Sequence, residues 1–283
     1  MSTTLPPAPA ATKPGLLQAV APTAAPAATK PLYKGRGVST YIEANKHRMM
    51  LFIGEPMTGK TRAACGWPKP WVLDCNRKLH SVLNVDPSLN LDYDFSQIDA
   101  SDKPVALGQQ WDYALKLVSG AASCGSYETI IIDDFGVLVQ ALMVKLLESA
   151  NKQLATQGKQ PVDNLRQQDY GHLLTTLVNT LVELKRYQRT FIFTAHQVVD
   201  RDETTGKLSV RLAIPGQAAT TLPGMFSDVY GFFVETPPGQ APKFRIRTTR
   251  DHVSAILGST RPIADVIDIT GKKPSEIYKL LGN

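Results

Sequence analysis

A chain that carries Gly54-Glu55-Pro56-Met57-Thr58-Gly59-Lys60-Thr61 directly after the apolar run Met49-Met50-Leu51-Phe52-Ile53 has few folds open to it. The pattern is G-x-x-x-x-G-K-T behind a short strand, the setting a phosphate-binding loop requires. Its glycines let the backbone curl until successive N–H groups face one centre. The helix that follows adds the positive end of its dipole. Lys60 can then reach the β- and γ-phosphates of a nucleotide, and the Thr61 hydroxyl can bind Mg²⁺. Gly54, Glu55, Pro56, Met57, Thr58, Gly59, Lys60, Thr61 and Arg62 are accordingly the candidate nucleotide-binding residues, with ATP and Mg²⁺ as the expected ligands.

A phosphate loop needs an acidic partner to organise the metal. Tyr127-Glu128-Thr129-Ile130-Ile131-Ile132-Asp133-Asp134 supplies one. The three isoleucines read as a central strand buried on both faces. A carboxylate ending such a run is costly unless it is paired or metal-bound. Asp133 is thus placed to hold Mg²⁺, directly or through water, beside Thr61.

Composition narrows the remainder. The 283 residues suffice for one large α/β domain with small appendages. A net charge of +6 permits a polyanionic partner without establishing one. Cys65, Cys75 and Cys124 match no zinc spacing and read as buried thiols of a reducing compartment. No apolar stretch has the length of a membrane span, and no secretory leader is expected. Residues 1–31, rich in alanine and proline, read as a flexible tail. Residues 32–270 are expected to form the nucleotide-binding domain, and 271–283 a C-terminal helix or tail.

Within the domain the periodicities alternate. Trp71-Val72-Leu73 reads as a strand ending at Asp74. Leu107, Trp111, Leu115 and Val118 share a helical face, Val137 to Leu154 is a second helical region, and Tyr170 to Leu184 a third. Thr190 to Thr194 is another buried strand. Strand and helix in alternation predict a mostly parallel sheet covered on both faces. Later, Leu208, Val210, Leu212 and Ile214 alternate behind a turn-rich Asp202–Gly206. Val229–Val234 and Lys243–Thr248 read as two strands joined by Pro237-Pro238-Gly239, and Pro274–Leu281 as a small helix.

The phosphate loop, the Ile-Ile-Ile-Asp-Asp strand and the strand end Phe193-Thr194-Ala195-His196-Gln197 together resemble the RecA-core ATPases. More narrowly, the chain resembles the short RecA-like ATPases of bacteriophages that act in recombination and single-strand annealing. The resemblance covers roughly Arg48 to Arg250. It implies an α/β RecA-like core with a C-terminal hairpin extension, ATP hydrolysis, binding of single-stranded DNA, and assembly into a ring or filament. A single-strand-binding protein is a further implied partner, and the host cytoplasm the implied location of a phage-encoded chain. Gln197, at the end of the strand after the acid strand, is similar to the polar group that senses the γ-phosphate, and His196 could share that role. Such cores carry a catalytic glutamate just past the second strand. Here the matching stretch is Asp74-Cys75-Asn76, and asparagine cannot accept a proton as a carboxylate does. Asp134 is the nearest alternative base, with Asp74 another, and turnover could be slow or partner-stimulated.

Basic residues mark candidate partner surfaces. Lys243, Arg245 and Arg247 alternate on one strand face, and Arg250 follows. They could keep an edge strand solvated, contact DNA phosphates, or reach a neighbour's γ-phosphate, a role the resemblance assigns to Arg247 or Arg250. Arg201, Lys207 and Arg211 lie in Val198–Thr221, where Gly216, Ala218 and Ala219 suit a flexible loop. The equivalent segment of the resembled ATPases contacts single-stranded DNA. Phe226 is the nearest aromatic for base stacking, unless it is core. A helicase or loader ATPase, or a nucleotide-dependent regulator without DNA specificity, would use the same core.

Overall fold

Two apolar clusters, one on each face of a single sheet, organise the chain. The computed structural model describes residues 47–84, 86–206, 208–251 and 253–281. The expected tail and the DNA-binding candidate Lys207 fall outside them. Strand β1 (Met49–Gly54) is buried at every position, because its side chains enter both clusters. Around it the sheet runs in the order β3-β2-β4-β5-β1-β7-β8-β9. These are β2 (Pro70–Asp74), β3 (Asp92–Phe95), β4 (Thr129–Asp133), β5 (Thr190–Arg201), β7 (Asp228–Glu235), β8 (Lys243–Arg247) and β9 (Val266–Asp268). The pairings are parallel from β3 through β7, then antiparallel across β8 and β9. This is the expected mostly parallel α/β fold with a C-terminal hairpin.

Helix α1 (Lys60–Ala64) follows the phosphate loop, and α2 (His80–Leu83) follows β2. Three longer helices, α3 (Leu107–Ser123), α4 (Phe135–Thr156) and α5 (Gln167–Leu184), cover the other face. Each presents its expected apolar stripe: Trp111 and Val118 from α3, Leu138 and Leu142 from α4, and Leu173, Leu177 and Leu181 from α5 are buried.

Two expectations need correction, and two further placements follow. Strand β5 does not stop at Thr194 but continues to Arg201, where β6 (Leu208–Leu212) pairs back on its outer half. The segment after β6 is not a loose loop. Ala218 and Ala219 are buried in the short helix α6 (Ala218–Thr221), since only small side chains fit where it meets the core. Phe226 is core, stacked edge-on against Phe193 at 5.4 Å. The segment expected to be a C-terminal helix or tail packs against the rest of the domain. Ile277 and Leu281, from α7 (Pro274–Leu280) and its cap, are fully buried in the cluster beneath α1, and Trp67 meets Tyr278 at 5.2 Å. Cys65 and Cys75 are buried thiols, whereas Cys124 is exposed.

Candidate nucleotide site

The loop between β1 and α1 folds as its glycines dictate. Gly59 has φ 94°, a left-handed conformation that favours glycine. A side chain at Gly54 would strike the Phe232 carbonyl of the adjacent β7. Thr58 is buried and donates to the Glu55 carbonyl at 2.9 Å, while Met57 at the crest is 92% exposed. Lys60 turns back over the loop, its Nζ donating to the Gly54 and Glu55 carbonyls at 3.0 and 2.7 Å. Burial pulls its pKa down to about 8, against the opposing pull of Asp134, Asp133 and Glu55. A triphosphate would supply the missing negative charge. Arg62 does not join this group: its guanidinium donates to the Lys272 carbonyl, tying α1 to the C-terminal segment.

Three strand ends meet below Lys60. In the strand alternation, Ile131 and Ile192 share the α1 face, and so do Asp133 on β4 and Thr194 and His196 on β5. Thr61 Oγ1 lies 3.0 Å from both oxygens of Asp133, and the Thr194 hydroxyl also donates to that carboxylate. Burial pushes Asp133 up to about 6, opposed by the two hydroxyl donors and reinforced by the charges of Asp134 and Asp74. A hydroxyl and a carboxylate converging in this way are hard oxygen donors that suit Mg²⁺. Thr61 and Asp133 would hold the ion, which would supply positive charge against the nucleotide phosphates.

A pH dependence follows. The raised value means that Asp133 holds a proton below about pH 6, and a proton excludes the metal. Mg²⁺ affinity measured by calorimetry in the presence of a fixed nucleotide should rise with pH through about 6 and then level off. In Asp133→Asn it should be weak at every pH. Superimposable titrations for parent and variant would remove Asp133 from the metal site.

The remaining candidates are placed unevenly. Asp74 is no base: its carboxylate accepts from the N–H groups of Asn76, Lys78 and Leu79 at 3.1, 3.1 and 2.8 Å, shaping the turn into α2. Asn76 is half-buried beyond the end of β2. Asp134 caps α4, with Oδ1 accepting from Gly136 N–H at 2.7 Å and Oδ2 lying 3.0 Å from His196 Nε2. Both oxygens are engaged in these contacts. Gln197 is placed differently from His196. Strand alternation puts it on the face of Phe193 and Ala195, opposite Leu212, so His196 and not Gln197 joins the acid group. Thr194 was not singled out from the sequence; only its place two residues before His196, on the α1 face, could have marked it.

The arginines are engaged within the chain. Arg247 pairs with Asp251 and lies over the Phe233 ring, 5.3 Å from its centroid. Arg245 pairs with Glu235 at 2.8 Å, Arg211 pairs with Asp200, and Arg250 donates to the Leu257 carbonyl at 3.2 Å. Lys243 is half-buried at the start of β8, and Arg201 is exposed at the end of β5.

Among known proteins, residues 46–252 match the family model described as an AAA domain. A solved structure, that of a KaiC-like protein from the hyperthermophilic archaeon Pyrococcus horikoshii, aligns over 71% of this chain and 78% of its own, with 10% identity and a TM-score of 0.39. That likeness is too distant to carry an argument. No curated protein matches significantly. No helix among the described residues is long and apolar enough to cross a membrane. With the phosphate loop, the carboxylate that ends β4 and a family match spanning both, the chain belongs to the AAA-domain family of P-loop nucleotide-binding proteins.

Proposed function

We propose that the protein binds Mg·ATP at Gly54–Thr61, hydrolyses it, and uses the cycle to act on single-stranded DNA in recombination or annealing, as the phage RecA-like ATPases do. The observation that carries the nucleotide half is the convergence of Lys60 and Thr61, from the start of α1, with Asp133 and Thr194 of the adjacent strands β4 and β5. In this reading Lys60 binds the β- and γ-phosphates, while Thr61 and Asp133 hold the metal. Asp133 takes up the Thr194 hydroxyl as a fixed second donor.

The DNA half is supported by the β5–β6 hairpin. Thr194 and His196 belong to the strand that runs on, without a break, into the hairpin bearing Arg201. A shift at the nucleotide would therefore travel along one strand to the exposed tip, where Arg201 stands among the acidic Asp202 and Glu203. Arg211 is neutralised by Asp200 and contributes less charge there. Assembly into a ring or filament, with Arg247 or Arg250 meeting a neighbour's nucleotide, rests on the resemblance alone.

The test is ATPase rate with and without oligo-dT at low salt. Stimulation by the oligonucleotide is expected. Arg201→Ala should weaken DNA affinity and make the salt slope shallower by about one unit. Hydrolysis indifferent to DNA, with no binding of oligo-dT in the presence of an ATP analogue, would leave a nucleotide-dependent protein without DNA specificity.

A further inference from the structure

The acidic groups at the ends of β2 and β4 are all committed. Asp74 serves three backbone N–H groups, Asp133 takes the Thr61 and Thr194 hydroxyls, and Asp134 holds Gly136 N–H and His196. Asn76 stands where a proton-accepting carboxylate was expected. Water attacking a γ-phosphate still needs a group to take its proton.

His196 has that capacity. Its Nε2 lies 3.0 Å from Asp134 Oδ2. A carboxylate oxygen accepts, so Nε2 carries the hydrogen, and in the neutral imidazole Nδ1 then keeps a lone pair. Nδ1 is shielded from solvent and has no hydrogen-bond partner among the described residues. A buried nitrogen left in this state calls for an explanation. Its position supplies one. The His196 backbone is in register with Gly54, the first residue of the phosphate loop, whose carbonyl holds Lys60. Its side chain shares the α1 face with Thr194, two residues before it, which reaches the metal-binding carboxylate. His196 therefore lies about 7 Å further along the strand than Thr194, toward the loop side of the site.

We propose that His196 Nδ1 accepts a proton from the water that attacks the γ-phosphate, and that Asp134 is the positioning residue that sets its tautomer. The proposal rests on reading the site as one that hydrolyses ATP. The water oxygen bonds to the γ-phosphorus as the bond from phosphorus to the β–γ bridging oxygen breaks, and that electron pair leaves with ADP. One water proton stays on the phosphate. The other moves to Nδ1, giving an imidazolium whose Nε2–H remains on Asp134, and is handed back to the departing inorganic phosphate, which carries it to solvent.

Four variants and three kinds of readout test this. In ¹⁵N-histidine NMR of the nucleotide-free protein, Nε2 of His196 should be protonated and Nδ1 bare. In Asp134→Asn the amide oxygen remains on Gly136 N–H, and the amide N–H faces Nε2, so the proton should move to Nδ1. His196→Ala, His196→Gln and Asp134→Asn should each lower single-turnover hydrolysis by about 10²–10³-fold. Affinity for a non-hydrolysable ATP analogue should change by less than about threefold in each, well inside the tenfold that 1.4 kcal/mol represents. The double variant His196→Ala/Asp134→Asn should be no slower than either single one, because the two act as a unit. The glutamine variant is decisive if the alanine variant does not fold. Glutamine can donate to Asp134 and to phosphate but cannot take a proton, so near-parental turnover in His196→Gln would overturn the proposal. So would losses that add in the double variant, affinity that falls in step with rate, or a parent with Nδ1 protonated. A parent that binds ATP yet never hydrolyses it would overturn the ATPase reading itself, and this proposal with it. A parent whose turnover needs Lys60 but not His196 would overturn this proposal alone.

Discussion

Replacing Lys60 with alanine should lower ATP turnover by about a thousandfold and abolish thermal stabilisation by Mg·ATP, while the nucleotide-free protein stays folded. The ammonium is buried and bonded only to the Gly54 and Glu55 carbonyls, so its charge is matched by backbone dipoles until phosphate arrives. The stability consequence has a definite sign. The folded-state value of about 8 lies below the ordinary lysine value of 10.5, so between the two the unfolded chain binds the proton more tightly. Near neutral pH the native state therefore carries the full penalty of a buried charge, and that penalty fades as pH rises from about 8 toward 10.5. Removing Lys60 removes the penalty. At pH 7.5 the melting temperature of nucleotide-free Lys60→Ala should equal or exceed that of the parent, and the difference should narrow in alkali. Calorimetric scans with and without nucleotide, set beside phosphate-release rates, check both halves. Parental turnover in the variant would remove the loop from the chemistry, whereas a large fall in nucleotide-free stability would show that the lysine is chiefly structural.

The largest expected stability effect lies at the opposite end of the strands. Asp228 opens β7, is fully buried, and accepts from Arg48 Nη1 at 3.2 Å, Ser259 Oγ at 2.8 Å, Thr260 N–H at 2.8 Å and Ser227 Oγ at 3.1 Å. Burial alone would raise its pKa. The Thr260 N–H, the Ser259 hydroxyl and the Arg48 charge outweigh burial and hold it below the ordinary value. Asp228→Ala should cost about 3–5 kcal/mol, because several buried donors lose their acceptor and Arg48 loses this carboxylate. Asp228→Asn, which keeps the shape and one acceptor oxygen, should cost less. Urea denaturation at pH 7 gives the measure, and a loss below about 1 kcal/mol for the alanine variant would show that water replaces the carboxylate without difficulty. The depressed pKa also sets a pH window. The stabilisation it provides is present above the unfolded-state value and is lost as pH falls through the folded-state one. The stability of Asp228→Ala should therefore respond less to acid than that of the parent.

The elements visible in the sequence were those whose pattern is local. The apolar run before Gly54 and the three isoleucines before Asp133 had to be buried strands, and the three- and four-residue spacing in α3 and α5 had to be helical. Strands β3 and β9 were missed for a physical reason. They are the two edge strands, four and three residues long, too short for their alternation to stand out from a loop. The continuation of β5 to Arg201 was hidden because pairing with β6, and not burial, holds its outer half.

The sequence by itself determined that a phosphate loop follows a buried strand, that an acid ends another, and that strand and helix alternate into a parallel sheet. These follow from side-chain periodicity and from the backbone freedom of glycine, both properties of neighbours along the chain. Which polar groups meet was decided only by tertiary structure. Register set β5 beside β4 and β1, and the two-residue strand repeat then turned Thr194 and His196 toward Asp133 and Asp134 while turning Gln197 away. The same packing took Asp74 into a turn, drew Arg62 to the C-terminal segment and built a carboxylate centre at Asp228 from residues up to 180 positions apart. A hydrogen bond between such distant positions leaves no periodic trace in the sequence, because only the folded sheet brings donor and acceptor within reach.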